Sequence, residues 1–173
     1  MQAGVADTAA GAAKSDQRAG KYLTFRLGNE EFAIQVLKVR EIMGVQDITA
    51  VPQTPHYVKG VINLRGKVIP VVDLRLKFGL PEAEYTQHTC IIVVQIPGAS
   101  GPMLMGIVVD GVSEVVSLTA GDIENTPDFG QGVTVPYLLG MAKTKGGVKI
   151  LLDIDQVLTS QEVCGLEQAL HHS

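Results

Sequence analysis

Four histidines, two cysteines and eighteen carboxylates are the side chains that could hold a metal or move a proton, so their spacing is the first question. His56, His88, His171 and His172 are scattered, and none stands at a ligand spacing from a Cys, Asp or Glu. Cys90 and Cys164 belong to no CxxC pair, and Cys90, inside the apolar run "CIIVVQI", is expected to be a small buried hydrophobe. "GQG" at 130–132 lacks the GK[ST] that completes a phosphate cradle. "GASGP" at 98–102 lacks the spacing of a nucleophile elbow and suits a hairpin turn. These residues nominate no catalytic group, no cofactor-binding group and no metal ligand, and no enzymatic activity is expected.

Two carboxylates do recur at a fixed distance. Asp73 and Asp153 stand 80 residues apart, and Tyr57, Gly60, Gly66 and Val68 meet Tyr137, Gly140, Gly146 and Val148 at the same offset. A catalytic residue is more often present in one copy, so these aspartates are expected to serve the fold by capping the turn after a strand. Upstream, "FAIQVLKVREI" (32–42) lies over "MGIVVDGVSEV" (105–115) at an offset of 73, pairing Val39 with Val112 and Glu41 with Glu114. The change of offset predicts seven extra residues in the second copy, placed at "DFGQGVTV" (128–135).

The elements that must position such residues are strands. Each copy opens with a β-type run, "YLTFRL" (22–27) or "TCIIVVQI" (89–96). Each continues through a strand, a short turn and a strand, and closes with two strands around a glycine turn, 57–64 with 67–72 and 137–143 with 147–153. Some runs are apolar throughout, as expected where strands bend across a small barrel. The fold class is therefore mainly all-β: five short strands per copy, twice. A unit of about 60 residues is marginal alone, so the copies are expected to pack together. Asp73 to Phe78 predicts a short helical closure ended by Gly79 and Pro81, and "SQEVCGLEQALHH" one amphipathic helix with Ser160 as N-cap and a weak point at Gly165.

Composition bounds the partners. A net charge of −4 offers no concentrated basic face for nucleic acid, and no apolar run is long enough to span a bilayer. Residues 1–20 read as a flexible tail rather than a signal peptide, and the cysteine usage fits a reducing cytoplasm. Two barrels side by side leave a groove that could take an amphipathic helix and edges that could take another sheet.

The run "GVINLRGKVIPVVDLR", with "FAIQVLKVREI" before it and "GIVVDGVSEVVSL" after it, closely resembles the CheW family, the coupling (adaptor) proteins of bacterial chemotaxis. The resemblance covers residues 21–160. Only a short tail and a short helix flank it, so a stand-alone adaptor is expected rather than the same domain within the CheA kinase or CheV. The resemblance implies two tandem SH3-like five-stranded barrels, about 21–84 and 85–159 with strands open to exchange, followed by a helix at 160–173. It implies a scaffold without cofactors, cytoplasmic and recruited to membrane-associated arrays. The implied partners are the cytoplasmic tips of chemoreceptors and the CheW-like regulatory domain of the histidine kinase CheA. Carried over by motif, Arg65 of "NLRG", with Asn63 and Leu64, lies on the receptor side, and Val115 helps line the region between the barrels. Val39 and Glu41 of "KVREI" lie on the kinase side. Met43 departs from the family at "EIxG", where a polar or basic residue is expected.

Each assignment has a plain competitor. Arg65 meets Lys145 in the second copy and could be a solvated turn residue, while Val115, opposite Ile42, could be core. An adaptor of another receptor–kinase pathway, such as surface motility, has the same motifs. A small β-barrel ligand-binding protein or enzyme would need convergent polar groups in the groove, and the sequence offers few outside turns.

Overall fold

The structure, a computed structural model, describes residues 17–125, 137–145 and 147–172. The expected insertion at 128–135 and most of the expected tail lie outside the described residues. Runs rich in β-branched, aromatic and other apolar residues form β1 (Gly20–Leu27), β2 (Glu30–Gln35), β3 (Val39–Gly44), β4 (Val58–Leu64), β5 (Lys67–Asp73), β6 (Cys90–Gly98), β7 (Gly101–Val109), β8 (Gly111–Leu118), β9 (Ile123–Glu124), β10 (Leu138–Thr144) and β11 (Gly147–Leu152). Helix α1 (Leu74–Lys77) follows β5, and α2 (Ser160–His172) follows the 3-10 turn Ile154–Gln156.

One sheet has the order β3-β6-β7-β5-β4 and the other β8-β1-β2-β11-β10-β9. Placing β1 to β5 over β6, β7, β8, β10 and β11 converts one order into the other, so the sequence repeat is a structural repeat. The sixth strand, β9, also has a counterpart: Thr49 bridges Val61 where Glu124 pairs with Met141.

Each sheet draws on both copies. The opening hairpin β1–β2 sits in the sheet of β8 to β11, and β6–β7 sits in the sheet of β3 to β5. The hairpins enter in the same manner. β2 and β7 run parallel to β11 and β5, while β1 and β6 run antiparallel to β8 and β3. Two short crossovers make the exchange possible: the 3-10 turn Val36–Lys38 between β2 and β3, and the single residue Asp110 between β7 and β8.

Strands are apolar on both faces because each face meets a different core, a cause additional to bending. On β6, Ile91 and Val93 join Ile62, Ile69, Val71 and Val108 inside one barrel. Ile92, Val94 and Ile96 instead join Phe25, Ile34, Val72 and Leu152 in a core shared by both sheets. The second barrel interior holds Tyr22, Ala33, Leu118, Ala142 and Leu151. The alternation follows from the two-residue period of a strand, and each buried side chain contributes roughly 1.5–3 kcal/mol.

The repeated residues have local duties. A Cβ on Gly60 would lie 2.0 Å from the Thr49 carbonyl oxygen, and one on Gly140 2.6 Å from that of Glu124. The two glycines stand at matching bulges where a bridging strand comes close. Asp73 caps α1, accepting from the Arg75 and Leu76 N–H groups at 2.9 and 3.4 Å, and Asp153 accepts from the Asp155 N–H at 3.1 Å. Their own N–H groups donate to the Tyr57 and Tyr137 carbonyls at 2.8 and 2.7 Å. The aspartates therefore serve the fold.

Two expectations need correction. The N-cap of α2 is Thr159 rather than Ser160: its hydroxyl accepts from the Glu162 N–H at 3.1 Å while the Glu162 carboxylate accepts from the Thr159 N–H at 2.8 Å. That reciprocal box requires a Glu three residues on, which Thr159 has and Ser160 lacks. Cys90 is half-buried at the start of β6, with only its successors fully inside.

Candidate functional site

The β4–β5 hairpin turns on two residues. Arg65 takes φ +51° and Gly66 φ +85°, the left-handed pair that matches the twist of adjoining strands. The Asn63 side-chain oxygen accepts from the Gly66 N–H at 2.7 Å, so Asn63 has a duty inside the turn. Leu64 is half-buried against the interior of its own barrel. Arg65 reaches out of the turn with its side chain 68% exposed, and its guanidinium binds Glu41 on β3 through both terminal nitrogens, Nη1 at 2.8 Å. Arg65 and Glu41, expected on different partner sides, thus form one ion pair.

Around it lies an open depression of about 440 Å³, lined by Arg40, Glu41, Leu64, Arg65, Lys67 and Met103 among others. The Arg40 Nε donates to Gln95 at 3.2 Å and its Nη1 to the Leu37 carbonyl at 2.9 Å. Three cations and one carboxylate surround apolar side chains, a surface suited to an acidic-rimmed, apolar-centred protein partner.

The other candidates separate from this pair. Val39 is half-buried against the shared core, beside the bulge between Val39 and Glu41. Val115 lies on β8, an edge strand of the other sheet, 54% exposed, and its repeat partner Ile42 is 45% exposed. The core reading of Val115 is therefore incorrect: in both copies this position faces out. Met43 packs against the barrel interior, so its departure from the family pattern falls on the inner face of β3.

A second recess, about 680 Å³ and mainly apolar, opens where the chain leaving α1 meets the six-stranded sheet. Leu27, Phe32, Phe78, Leu80, Tyr137 and Ile150 line it. Phe32, Phe78 and Tyr137 stack in series, with centroids 5.9 and 5.2 Å apart. It draws residues from both copies and has the apolar character that an amphipathic helix requires.

Sequence reasoning missed several long-range contacts. Leu37, 84% exposed on the first crossover, is the most exposed large hydrophobic residue described. Lys149, 4% exposed, pairs with Glu31 at 2.7 Å across the parallel β2–β11 ladder. Glu162 on α2 accepts from the Tyr57 hydroxyl at 2.5 Å and Lys77 at 2.8 Å. Burial alone would raise the Glu162 carboxyl, but Lys77, the Thr159 N–H and Tyr57 together hold it down at about 2. Burial and the Glu162 carboxylate push the Tyr57 hydroxyl up. Only the Thr-x-x-Glu of the cap signalled any of this.

Among the described residues no group of three or more His, Cys, Asp or Glu could hold a metal ion. Comparison with known proteins matches residues 21–162 to the family model described as a CheW-like domain. The chain belongs to the CheW-like family. The chemotaxis protein CheW of Klebsiella aerogenes is 43% identical over 143 residues, covering 83% of this chain and 84% of that protein. The CheW of Rhizobium meliloti is 37% identical over 152 residues, covering 87% and 96%. Among solved structures, the scaffolding protein TtCheW of Thermoanaerobacter tengcongensis aligns with a TM-score of 0.72 at 31% identity, covering 83% of this chain and 97% of that one. The mainly β, two-sheet architecture is the CheW fold, and the family is one of chemotaxis scaffolds and adaptors.

Proposed function

We propose that this chain is a non-catalytic adaptor coupling chemoreceptors to the histidine kinase CheA in chemotaxis signalling arrays. The observation that carries the reading is the CheW-like match across residues 21–162. Its supporting chemistry is a surface of exposed cations, one carboxylate and apolar side chains.

In this reading Asn63, Leu64 and Arg65 face the receptor, with Asn63 shaping the turn, while Glu41 and Val39 face the kinase. The two docking surfaces then abut at the Arg65–Glu41 pair, and a partner binding on one side alters the charge offered to the other. Val115, on the other sheet, adds an exposed apolar contact for the receptor. The apolar recess at Phe32, Phe78 and Tyr137 suits a receptor helix, and the edge strands suit the barrels of the kinase's regulatory domain. No described helix is long and apolar enough to cross a membrane. The adaptor works from the cytoplasm and reaches the membrane through the receptors.

Reconstitution tests this. Adding the purified chain to receptor-containing membranes and kinase should raise kinase activity and make it respond to attractant. A pull-down that finds neither receptor nor kinase bound overturns the proposal.

A further inference from the structure

Both crossovers between the sheets are held by an ion pair, and the two pairs have opposite polarity. At the second crossover, Asp110 accepts from the Arg75 Nη1 at 2.7 Å and from the Gly28 N–H at 2.6 Å. Arg75 stands on α1 and also donates twice to the Pro81 carbonyl, at 3.0 and 2.9 Å. The arginine thereby ties the end of one sheet to the β1–β2 turn of the other. At the first crossover, the Lys38 ammonium binds Asp155 at 2.7 Å. Asp155 lies in the 3-10 turn after β11 and is the repeat equivalent of Arg75, 80 residues on. Leu37, beside Lys38, is the equivalent of Asp110. One contact is therefore built twice, with the cation on the post-strand helix in one copy and on the crossover in the other. Both pairs are mostly sheltered, with side-chain exposures of 15% and 26% in one and 33% and 22% in the other.

The polarity has a structural meaning. β2 joins the sheet that ends in Asp155, and β7 joins the sheet that ends in Arg75. Were the two hairpins to trade places, Lys38 would approach Arg75 and Asp110 would approach Asp155. Both contacts would be repulsive. We propose that Arg75–Asp110 and Lys38–Asp155 are paired latches that assign each hairpin to its barrel and hold the angle between the barrels. The shared core gives cohesion, and the aromatic β1–β2 hairpin (Tyr22, Phe25, Phe32) differs in shape from the isoleucine- and valine-rich β6–β7 hairpin, but apolar burial is itself non-directional. Charge supplies the direction.

The test uses the full chain with both cysteines replaced by serine and spin labels at Val68 and Val148, exposed equivalents on the two sheets. The parent should give one narrow inter-label distance. Lys38→Asp, which sets two carboxylates together, should broaden or shift it, and Lys38→Asp with Asp155→Lys should bring back the narrow distance. Asp110→Asn keeps an acceptor for Gly28 but removes the charge facing Arg75, and should broaden the distance with strand content by circular dichroism retained. An unchanged distance in Asp110→Asn, or a double variant no narrower than Lys38→Asp, overturns the proposal. If Lys38→Asp does not fold, recovery of the fold by the double variant supports the latch and continued failure refutes it.

Discussion

Replacing Arg65 with glycine separates what the turn needs from what a partner needs. Arg65 sits at φ +51°, a conformation that costs a residue with a Cβ about 1 kcal/mol and glycine almost nothing. The same change removes the Glu41 ion pair, whose arginine is 68% exposed, so its contribution is screened to about 0.2–1 kcal/mol. The two effects offset, and Arg65→Gly should change unfolding stability by less than about 1 kcal/mol. That corresponds to a melting shift within roughly 4 °C for a domain of this size. Arg65→Ala keeps the backbone strain and loses the pair, so it should be less stable than Arg65→Gly by about 1 kcal/mol. Binding should respond differently, because truncating an arginine within a desolvated contact costs about 2 kcal/mol or more, roughly 30-fold in Kd. Urea unfolding gives the first quantity, and titration against receptor membranes and against the kinase's regulatory domain gives the second. A stability loss above about 2 kcal/mol would make the ion pair structural. Unchanged affinity for both partners would return Arg65 to a solvated turn residue.

Glu31→Gln strands the buried Lys149 ammonium and should cost about 3 kcal/mol, whereas Lys149→Met removes the charge itself and should cost less than about 1 kcal/mol, both read by urea denaturation. Gly60→Ala drives a methyl into the Thr49 carbonyl and should cost more than about 2 kcal/mol. Gly140→Ala, with a wider approach, should cost less on the same assay. Glu162 has a folded-state pKa of about 2, below its ordinary value of 4.5, so the stability it contributes is present above pH 4.5 and lost as pH falls towards 2. The protection of α2 amides against hydrogen exchange, taken relative to the intrinsic rate at each pH, should fall as pH drops through that window and stay level above it, and Glu162→Gln should abolish the acid-dependent fall.

The parts legible in sequence were those repeated at fixed spacing. Tyr57, Gly60 and Asp73 recur as Tyr137, Gly140 and Asp153 because a bulge, a close carbonyl and a cap are local demands met by few residue types. The hairpin exchange was not legible. The sheet that β1 or β6 enters is decided by partners far along the chain, such as Val116 opposite Tyr22. Arg75, Lys149 and Lys38 escaped notice for the same reason: each finds its carboxylate tens of residues away or across a parallel ladder. At the candidate docking face, "NLRG" marked the turn, but the meeting of Arg65 with Glu41 depends on β3 and the β4–β5 tip converging over the same barrel.

The reciprocal hairpins also set an order of events as the chain leaves the ribosome. The sheet of β3 to β7 can close once residue 109 has emerged, using segments from the middle of the chain. β1 and β2 emerge before the other strands, yet their ladder partners β8 and β11 come much later, β11 being the last strand and ending only at residue 152. Until then the hairpin carrying Tyr22, Phe25 and Ile34 has no barrel to enter, and long-range pairing of this kind closes slowly. The earliest-made strands are the last to be sheltered, and a chain halted before β11 would present them to whatever chaperone or neighbour is nearest.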